Sequence, residues 1–302
     1  MTPYKRRTKS TELLILSLLY SRLMLSTKDK HYFINLQKGY EGEVEFDAWT
    51  KQLQCDCLIL NDLLIHSNNT VFQVDSLIIS SEVIYLFEVK NYEGDYYYEG
   101  ENFYKKPMHE ILNPLHQLGR CESLLRQLLR KHGFSIPIKS YVIFINPEFT
   151  LYQAPLDKPI IYPTQIPQFM KKLNSISTKL TDRHKQLAKR LVKLHMNESP
   201  YNKLPSYDYT QMTKGIMCLE CQSFAISIVG RKCVCNDCGN KETAATAVMR
   251  AVKEFQLLFP EKKITSSIIH EWCKVVPFQK MIRNILNQHF VKVSDKRWTY
   301  YK

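Results

Sequence analysis

The sequence predicts a mixed α/β core followed by two small C-terminal modules. Between Leu58 and Tyr104 the apolar residues form short runs rich in Val, Ile, Tyr and Phe, a pattern typical of strands. Residues 140–146 form another run that is almost wholly apolar, which indicates a strand buried inside a sheet. Clustered cysteines and a basic, helix-patterned C-terminus follow, so the core and the modules are expected to fold separately.

The elements of the core follow in order along the chain. Residues 11–25 and 36–54 each place apolar residues at helical spacing, which favours two helices. The strand runs, separated by turn residues, lie at residues 58–65, 71–80, 82–91, 95–100 and 102–106. A helix from about Pro114 to His132 precedes the buried strand, and residues 164–196 favour two basic helices.

Composition divides the 302 residues into six predicted segments. They are an N-terminal basic helix (1–34), the α/β domain (35–160), a basic helical extension (161–197), a polar linker (198–213), a cysteine module (214–240) and a helical C-terminal domain (241–302).

The net charge of +13 is distributed unevenly along the chain. Residues 35–160 carry a net charge of −6, and the segments on either side carry +19 together. This suggests a polyanionic partner, with nucleic acid first and an anionic membrane surface second; a surface that only aids solubility is the alternative. The longest apolar run, Leu13 to Leu19, is too short to span a membrane, and no secretory cleavage site follows it. A cytoplasmic protein without membrane contact is therefore expected.

The main chemical signal lies in two consecutive strand runs. Asp75 lies in one, and Glu88, Val89 and Lys90 end the next. Alternate strand residues share a face, so Glu88 and Lys90 are expected on the same side, and a hairpin would bring Asp75 close to Glu88. Two carboxylates and one ammonium among apolar neighbours need a counter-ion, which a divalent metal can supply. Such a metal can activate water against a phosphodiester, and Lys90 could orient that water or stabilise the charge on the phosphate.

Four short motifs around these residues occur in an order typical of one family. They are Gly-Tyr-Glu-Gly-Glu (39–43), Gln-Val-Asp (73–75), Glu-Val-Lys-Asn (88–91) and Asn-Pro-Leu-His-Gln (113–117). Together they resemble the nuclease-related domain (NERD) family of the PD-(D/E)xK nuclease superfamily. The resemblance implies a restriction-endonuclease-like α/β (α+β) core, with a mixed central sheet flanked by helices, and a nuclease that uses Mg²⁺ or Mn²⁺ to hydrolyse DNA.

The resemblance also implies roles for individual residues. The implied catalytic residues are Glu43, Asp75, Glu88, Lys90 and Gln117. The implied ligands of Mg²⁺ or Mn²⁺ are Glu43, Asp75, Glu88 and the main-chain carbonyl of Val89. Residues two apart on a helix face away from each other, so Glu41, Glu43 and Glu45 are not expected to serve together. Ser76 stands where many members have His, which puts in doubt any auxiliary role of that position. A buried ion-pair network without catalysis is the alternative for the strand residues.

The cysteine module carries two Cys-x-x-Cys pairs separated by 13 residues. The pairs are Cys218 with Cys221 and Cys235 with Cys238. Four thiolates at this spacing favour tetrahedral Zn²⁺, and the pattern resembles a zinc ribbon with a structural role. Cys233 is an alternative ligand in place of Cys235. The ribbon either binds nucleic acid or only stabilises its own small fold.

The residue pattern of the C-terminal domain predicts three helices and a β-hairpin. The helices cover residues 242–259, Thr265 to Cys273 and a stretch opened by Pro277, and residues 290–301 form the hairpin. This order resembles a winged helix-turn-helix, whose third helix would enter the major groove. The implied DNA-contacting residues are Gln279, Lys280, Arg283, Asn284 and Asn287 on the helix and Lys296 and Arg297 in the wing. A module for protein contacts or dimerisation is the alternative.

The sequence thus predicts a metal-dependent deoxyribonuclease with C-terminal DNA-binding modules. Catalytic Mg²⁺ or Mn²⁺ and structural Zn²⁺ are the expected cofactors, and DNA is the expected partner, with RNA left open. A homo-oligomer and partner proteins from DNA repair or defence are compatible with the resemblance. The alternatives are a catalytically inactive nucleic-acid-binding or regulatory protein on the same fold, and a scaffold for protein partners.

Overall fold

The chain folds into two units, and the computed structural model describes residues 2–176, 179–295 and 298–302. The first, named the core unit, consists of Met1–Thr11 and Ile34–Asn202. The second, named the C-terminal unit, consists of Glu12–Phe33 and Lys203–Lys302. Among the described residues, no helix is both long enough and apolar enough to cross a membrane.

In the first half of the chain two helices precede six strands, and a third helix follows them. The helices of the described residues are α1 (Thr11–Arg22), α2 (Thr27–Thr50), α3 (Pro114–Lys131), α4 (Ile166–Asn174), α5 (Asp182–Leu194), α6 (Ala244–Leu258), α7 (Ser266–Cys273) and α8 (Gln279–His289). The strands are β1 (Leu58–Ser67), β2 (Thr70–Ile79), β3 (Ile84–Lys90), β4 (Gly94–Glu99), β5 (Asn102–Lys105), β6 (His109–Ile111), β7 (Ile138–Phe144), β8 (Phe149–Tyr152), β9 (Ile160–Ile161), β10 (Ile226–Val229), β11 (Lys232–Cys235), β12 (Lys241–Thr243), β13 (Lys292–Asp295) and β14 (Trp298–Tyr301).

The core unit is built on a mixed five-stranded sheet in the order β1-β2-β3-β7-β9. Neighbours are antiparallel from β1 to β3 and parallel from β3 to β9. Helices α3 and α5 bury Leu125 and Leu187 against one face, and α2 and α4 bury Phe46 and Met170 against the other. The predicted mixed α/β class, with a central sheet flanked by helices, is confirmed.

A second sheet of the core unit, in the order β6-β5-β4-β8, contributes aromatic side chains to the core. Tyr96 stacks on Phe103 with ring centroids 5.6 Å apart, and Phe149 stacks on Phe144 of β7 at 3.8 Å. The short strands β6, β8 and β9 have two to four residues each and were not predicted. Runs of that length are too short to show a period of two.

Two helix starts differ from the prediction. Helix α2 begins at Thr27, well before residue 36, because Ser26 caps it: the Asp29 N–H donates to Ser26 Oγ at 3.1 Å. Helix α8 begins at Gln279, so Pro277 lies before the helix and does not open it. Phe278 is the extended N-cap residue and is 71% exposed.

The C-terminal unit combines a three-stranded sheet, β10-β11-β12, with helices α1, α6, α7 and α8 and the β13–β14 hairpin. Arg22 of α1 lies fully inside its core, where it donates to the carbonyls of Thr213 and Gly215 and pairs with Glu254. The guanidinium carbon lies 4.3 Å from the ring centroid of Trp272. The three helices and the hairpin occur in the predicted order, while Lys296 and Arg297 lie outside the described residues.

Candidate active site

Antiparallel pairing of β2 with β3 brings the predicted strand residues together. Ser76 lies opposite Phe87, and the Val89 N–H donates to Oδ2 of Asp75 at 2.9 Å. Lys90 Nζ lies 2.7 Å from Oε1 of Glu88. Asp75 and Glu88 are 7% and 3% exposed, so the pair of carboxylates is buried, as the hairpin interpretation expects.

Helix α3 adds Gln117 to this cluster. Lys90 Nζ donates to Gln117 Oε1 at 2.9 Å. The Asn-Pro-x-x-Gln motif explains this contact, because Asn113 caps the helix by accepting from the Leu115 N–H at 3.0 Å and Pro114 occupies the first turn. Asn113 is itself held by the Tyr98 hydroxyl, which donates to its Oδ1 at 3.1 Å. The motif therefore fixes the start of α3 so that Gln117 reaches the lysine.

Helix α2 packs directly on the end of β3 through Gly42. A Cβ at Gly42 would lie 2.5 Å from Cβ of Asn91 and 3.1 Å from Ile145, so only glycine permits this approach. Asn91 in turn donates to the Lys38 carbonyl at 2.8 Å, which ties the strand end to the helix. This close packing places Glu43, the next residue, at the carboxylate cluster.

Arg7 also enters the cluster, and the sequence prediction missed it. Its side chain is 3% exposed, and its guanidinium forms an ion pair with Glu43. It makes two bonds of 3.1 Å to the carboxylate of Asp47 and donates to the main-chain carbonyl of Asp75 at 2.7 Å. An arginine within such a basic N-terminal run is expected to be an exposed surface residue. No local sequence pattern distinguishes it, because its partners lie 36 to 68 residues further along the chain.

The electrostatics of the cluster favour a divalent cation. Burial, followed by the charge of Asp75, raises the pKa of Glu88 to about 8. Burial also raises the pKa of Glu43, despite the pairing with Arg7, and that of Asp75, despite nearby Lys90. The cluster contains the carboxylates of Glu43, Asp47, Asp75 and Glu88 and the cationic groups of Arg7 and Lys90. The deficit of positive charge and the all-oxygen donors fit Mg²⁺ or Mn²⁺.

The carboxylates are held apart by their own partners. Among the described residues, no three of them have oxygens that all lie within 4.8 Å of one another. Glu43 pairs with Arg7, and Glu88 pairs with Lys90. A metal ion bound here would therefore share Glu43 and Glu88 with these two cations.

In the C-terminal unit the four predicted cysteines come together. Their Sγ atoms all lie within 4.8 Å of one another, with Cys218 and Cys238 at 3.6 Å and Cys221 and Cys235 at 3.5 Å. The residue after each pair has a positive φ and donates its N–H to the carbonyl of the first cysteine: Gln222 at 3.1 Å and Gly239 at 3.0 Å. Two matching turns thus present four thiols that could hold zinc in a ribbon.

Cys233 lies outside that group of thiols, although it is two residues from Cys235 on β11. It is buried, and burial raises the pKa of its thiol to about 11. The strand pairs Cys233 with Ile228 and Glu242, in the middle of the three-stranded sheet. The geometry thus places Cys235 and not Cys233 with the other three thiols.

The predicted DNA-contacting residues of α8 are exposed. Gln279 donates to Ser266 Oγ and Asn287 accepts from the Tyr301 hydroxyl, both at 3.1 Å, so these two side chains have partners within the unit. Lys280 and Asn284 line a groove of about 730 Å³ beside the start of α6.

The fold and the buried carboxylate cluster together define a mixed α/β domain of the nuclease type. The model of the nuclease-related domain family matches residues 38–145, a range that includes all four motifs. This chain therefore contains a nuclease-related domain. No curated protein and no solved structure matches the chain.

Proposed function

We propose that the core unit is a metal-dependent nuclease that hydrolyses phosphodiester bonds of DNA with Mg²⁺ or Mn²⁺. The buried cluster of Glu43, Asp75 and Glu88 beside Lys90 carries this proposal, because its carboxylates outnumber its cations. These carboxylates, with the main-chain carbonyl of Val89, would hold the metal. When bound, the metal would polarise the phosphate and lower the pKa of water.

Lys90 would act as a hydrogen-bond donor and not as a base. The carboxylates of Glu88 and Asp75 raise the pKa of its ammonium against the effect of burial, so it stays charged at neutral pH. An ammonium has three N–H groups, and Glu88 and Gln117 accept two of them. The third can orient the attacking water or stabilise the charge that develops on the scissile phosphate.

The C-terminal unit would bind the duplex. Zn²⁺ on the four cysteines would be structural, because four protein ligands leave no open position for substrate. The exposed residues of α8, with Lys296 and Arg297, would contact the DNA as in a winged helix. Base-edge and phosphate contacts from such residues would position the core unit's substrate.

Cleavage assays test the proposed activity. Pure protein is incubated with plasmid and linear DNA in Mg²⁺, in Mn²⁺ and in EDTA, beside Lys90→Ala and a Lys139→Ala control on exposed β7 surface. We expect cleavage with either metal, none in EDTA, and a loss of at least about 100-fold in Lys90→Ala alone. Binding without cleavage in every condition would instead support the catalytically inactive alternative. An RNA substrate in parallel assays determines whether cleavage is restricted to DNA.

A further inference from the structure

The N-terminal segment before α1 adds a short stretch of parallel pairing to the edge of the central sheet. The N–H of Tyr4 donates to the Ile59 carbonyl at 2.8 Å, and the N–H of Asn61 donates to the Lys5 carbonyl at 3.0 Å. Lys5 forms a parallel bridge with Leu60 of β1, the outermost strand. This segment lies outside residues 38–145, so its contact with the carboxylate cluster is additional to the family match.

The pairing directs Arg7 between helix α2 and strand β2. Both oxygens of Asp47 accept from its guanidinium at 3.1 Å, and the Asp75 carbonyl accepts at 2.7 Å. Asp47 is 6% exposed and lies one helical turn after Glu43, so both carboxylates face the same arginine. The fork with Asp47 fixes the plane of the guanidinium, and the Asp75 carbonyl fixes its depth.

The remaining contact of Arg7 engages one of the two carboxylate oxygens of Glu43. Among the hydrogen bonds of the described residues, the guanidinium donates to Oε2 of Glu43 and not to Oε1. A carboxylate has a second oxygen with its own lone pairs, so Oε1 remains available to a metal while Oε2 is held. Asp47, by contrast, has both oxygens engaged and serves as the anchor.

We propose that Arg7 is a positioning residue, which holds Glu43 through one oxygen so that the other can bind the catalytic metal. This inference rests on the proposed function, since it requires that the cluster binds Mg²⁺ or Mn²⁺. In a purely structural ion pair, Arg7 would stabilise the fold and would not act on metal binding through Glu43. In the proposal, the effect of Arg7 on metal binding is exerted through Glu43. The proposal also differs from simple competition, in which removal of the arginine charge would strengthen metal binding.

Mn²⁺ titration of the full, zinc-loaded chain, followed by electron paramagnetic resonance, tests the proposal without relying on cleavage. We expect Arg7→Gln to weaken Mn²⁺ binding by about 10- to 100-fold, the range typical for residues that orient metal ligands. The matched control is Arg6→Gln, because Arg6 is adjacent and exposed, and it should bind as the wild type does. Arg7→Lys keeps the charge without the fork, so its affinity should fall between the two.

A double-variant cycle separates positioning from a structural role. If Arg7 acts through Glu43, adding Arg7→Gln to Glu43→Gln should weaken Mn²⁺ binding by less than about 2-fold more. A full additional loss in the double variant would overturn the proposal, as would Arg7→Gln protein that binds Mn²⁺ as tightly as the wild type or more tightly. If Arg7→Gln does not fold, Arg7→Lys decides, and wild-type affinity in that variant would overturn it. Wild-type protein that binds no Mn²⁺ would refute the proposed function itself.

Discussion

Burial of the Glu88 side chain disfavours its ionised form. The side chain is 3% exposed, and burial followed by the charge of Asp75 raises its pKa from the ordinary 4.5 to about 8. The charge of Lys90 offsets only part of this rise in the pKa of Glu88. A carboxylate that is costly to ionise in the absence of metal is well suited to bind one, because a cation restores the balance of charge.

Stability of the metal-free protein should therefore fall as the pH rises from 5 to 8. In this range the unfolded chain has released the Glu88 proton and the folded chain retains it, so folding is progressively disfavoured. Each pKa unit corresponds to about 1.4 kcal/mol, so the expected loss is of the order of 3 kcal/mol. Urea unfolding without added Mg²⁺ or Mn²⁺ at both pH values measures it. Glu88→Gln should remove the part of the loss that Glu88 contributes, and the exposed control Glu82→Gln should remove none; the same pH dependence in both variants would contradict the assignment.

At the scale of secondary-structure elements, the close contact of α2 with the end of β3 requires that residue 42 is a glycine. Gly42→Ala would place a methyl group 2.5 Å from Asn91 Cβ, so the helix must shift and carry Glu43 with it. We expect a loss of about 1 to 3 kcal/mol in the free energy of unfolding and a marked loss of cleavage. Gly39 is the matched control: nothing lies within 4 Å of its Cβ position, so Gly39→Ala should be neutral or stabilise by up to about 1 kcal/mol. Equal effects of the two variants in urea unfolding would show that the close approach is not needed.

Zinc binding by the C-terminal unit would depend on which cysteine of β11 joins the other three. Cys235→Ser should release the zinc and destabilise the C-terminal unit, because Cys235 belongs to the four-thiol group and to the core of that unit. Cys233→Ala should keep one zinc per chain and lose only part of its packing. Zinc content by atomic absorption and thermal unfolding by circular dichroism check both variants. Zinc lost from Cys233→Ala and kept by Cys235→Ser would reverse the assignment.

The elements that sequence reasoning predicted well are those whose signals are local. Strand alternation placed Glu88 and Lys90 on one side, and the helix predicted from about Pro114 has Gln117 in its first turn. Arg7 escaped prediction because its partners are 36 to 68 residues away, and no local period reveals such a contact. The early start of α2 was missed because its first turns are mostly polar and lack a clear apolar stripe.

At the scale of the whole molecule, positive charge follows the division into units. The C-terminal unit carries a net charge of +9 and the core unit +4, although the core unit is the larger. Within the core unit, residues 35–160 carry a net charge of −6. The C-terminal unit is thus the more basic of the two, which supports the proposal that it binds DNA.

DNA affinity should accordingly depend on salt and on α8. Removing one side chain that binds a phosphate reduces the slope of log K against log salt by about 1, so Lys280→Ala with Arg283→Ala should flatten it by about 2 if both meet phosphates. Both side chains are exposed on α8, and exposed Lys253 on α6 supplies the control, whose replacement by Ala should leave the slope almost unchanged. Fluorescence anisotropy of the zinc-loaded protein with labelled duplex across a range of salt concentrations, without added Mg²⁺ or Mn²⁺ to prevent cleavage, gives the slopes. If the α8 double variant matched Lys253→Ala at every salt concentration, α8 would not be the DNA-binding helix, and a protein partner would become the better interpretation of that surface.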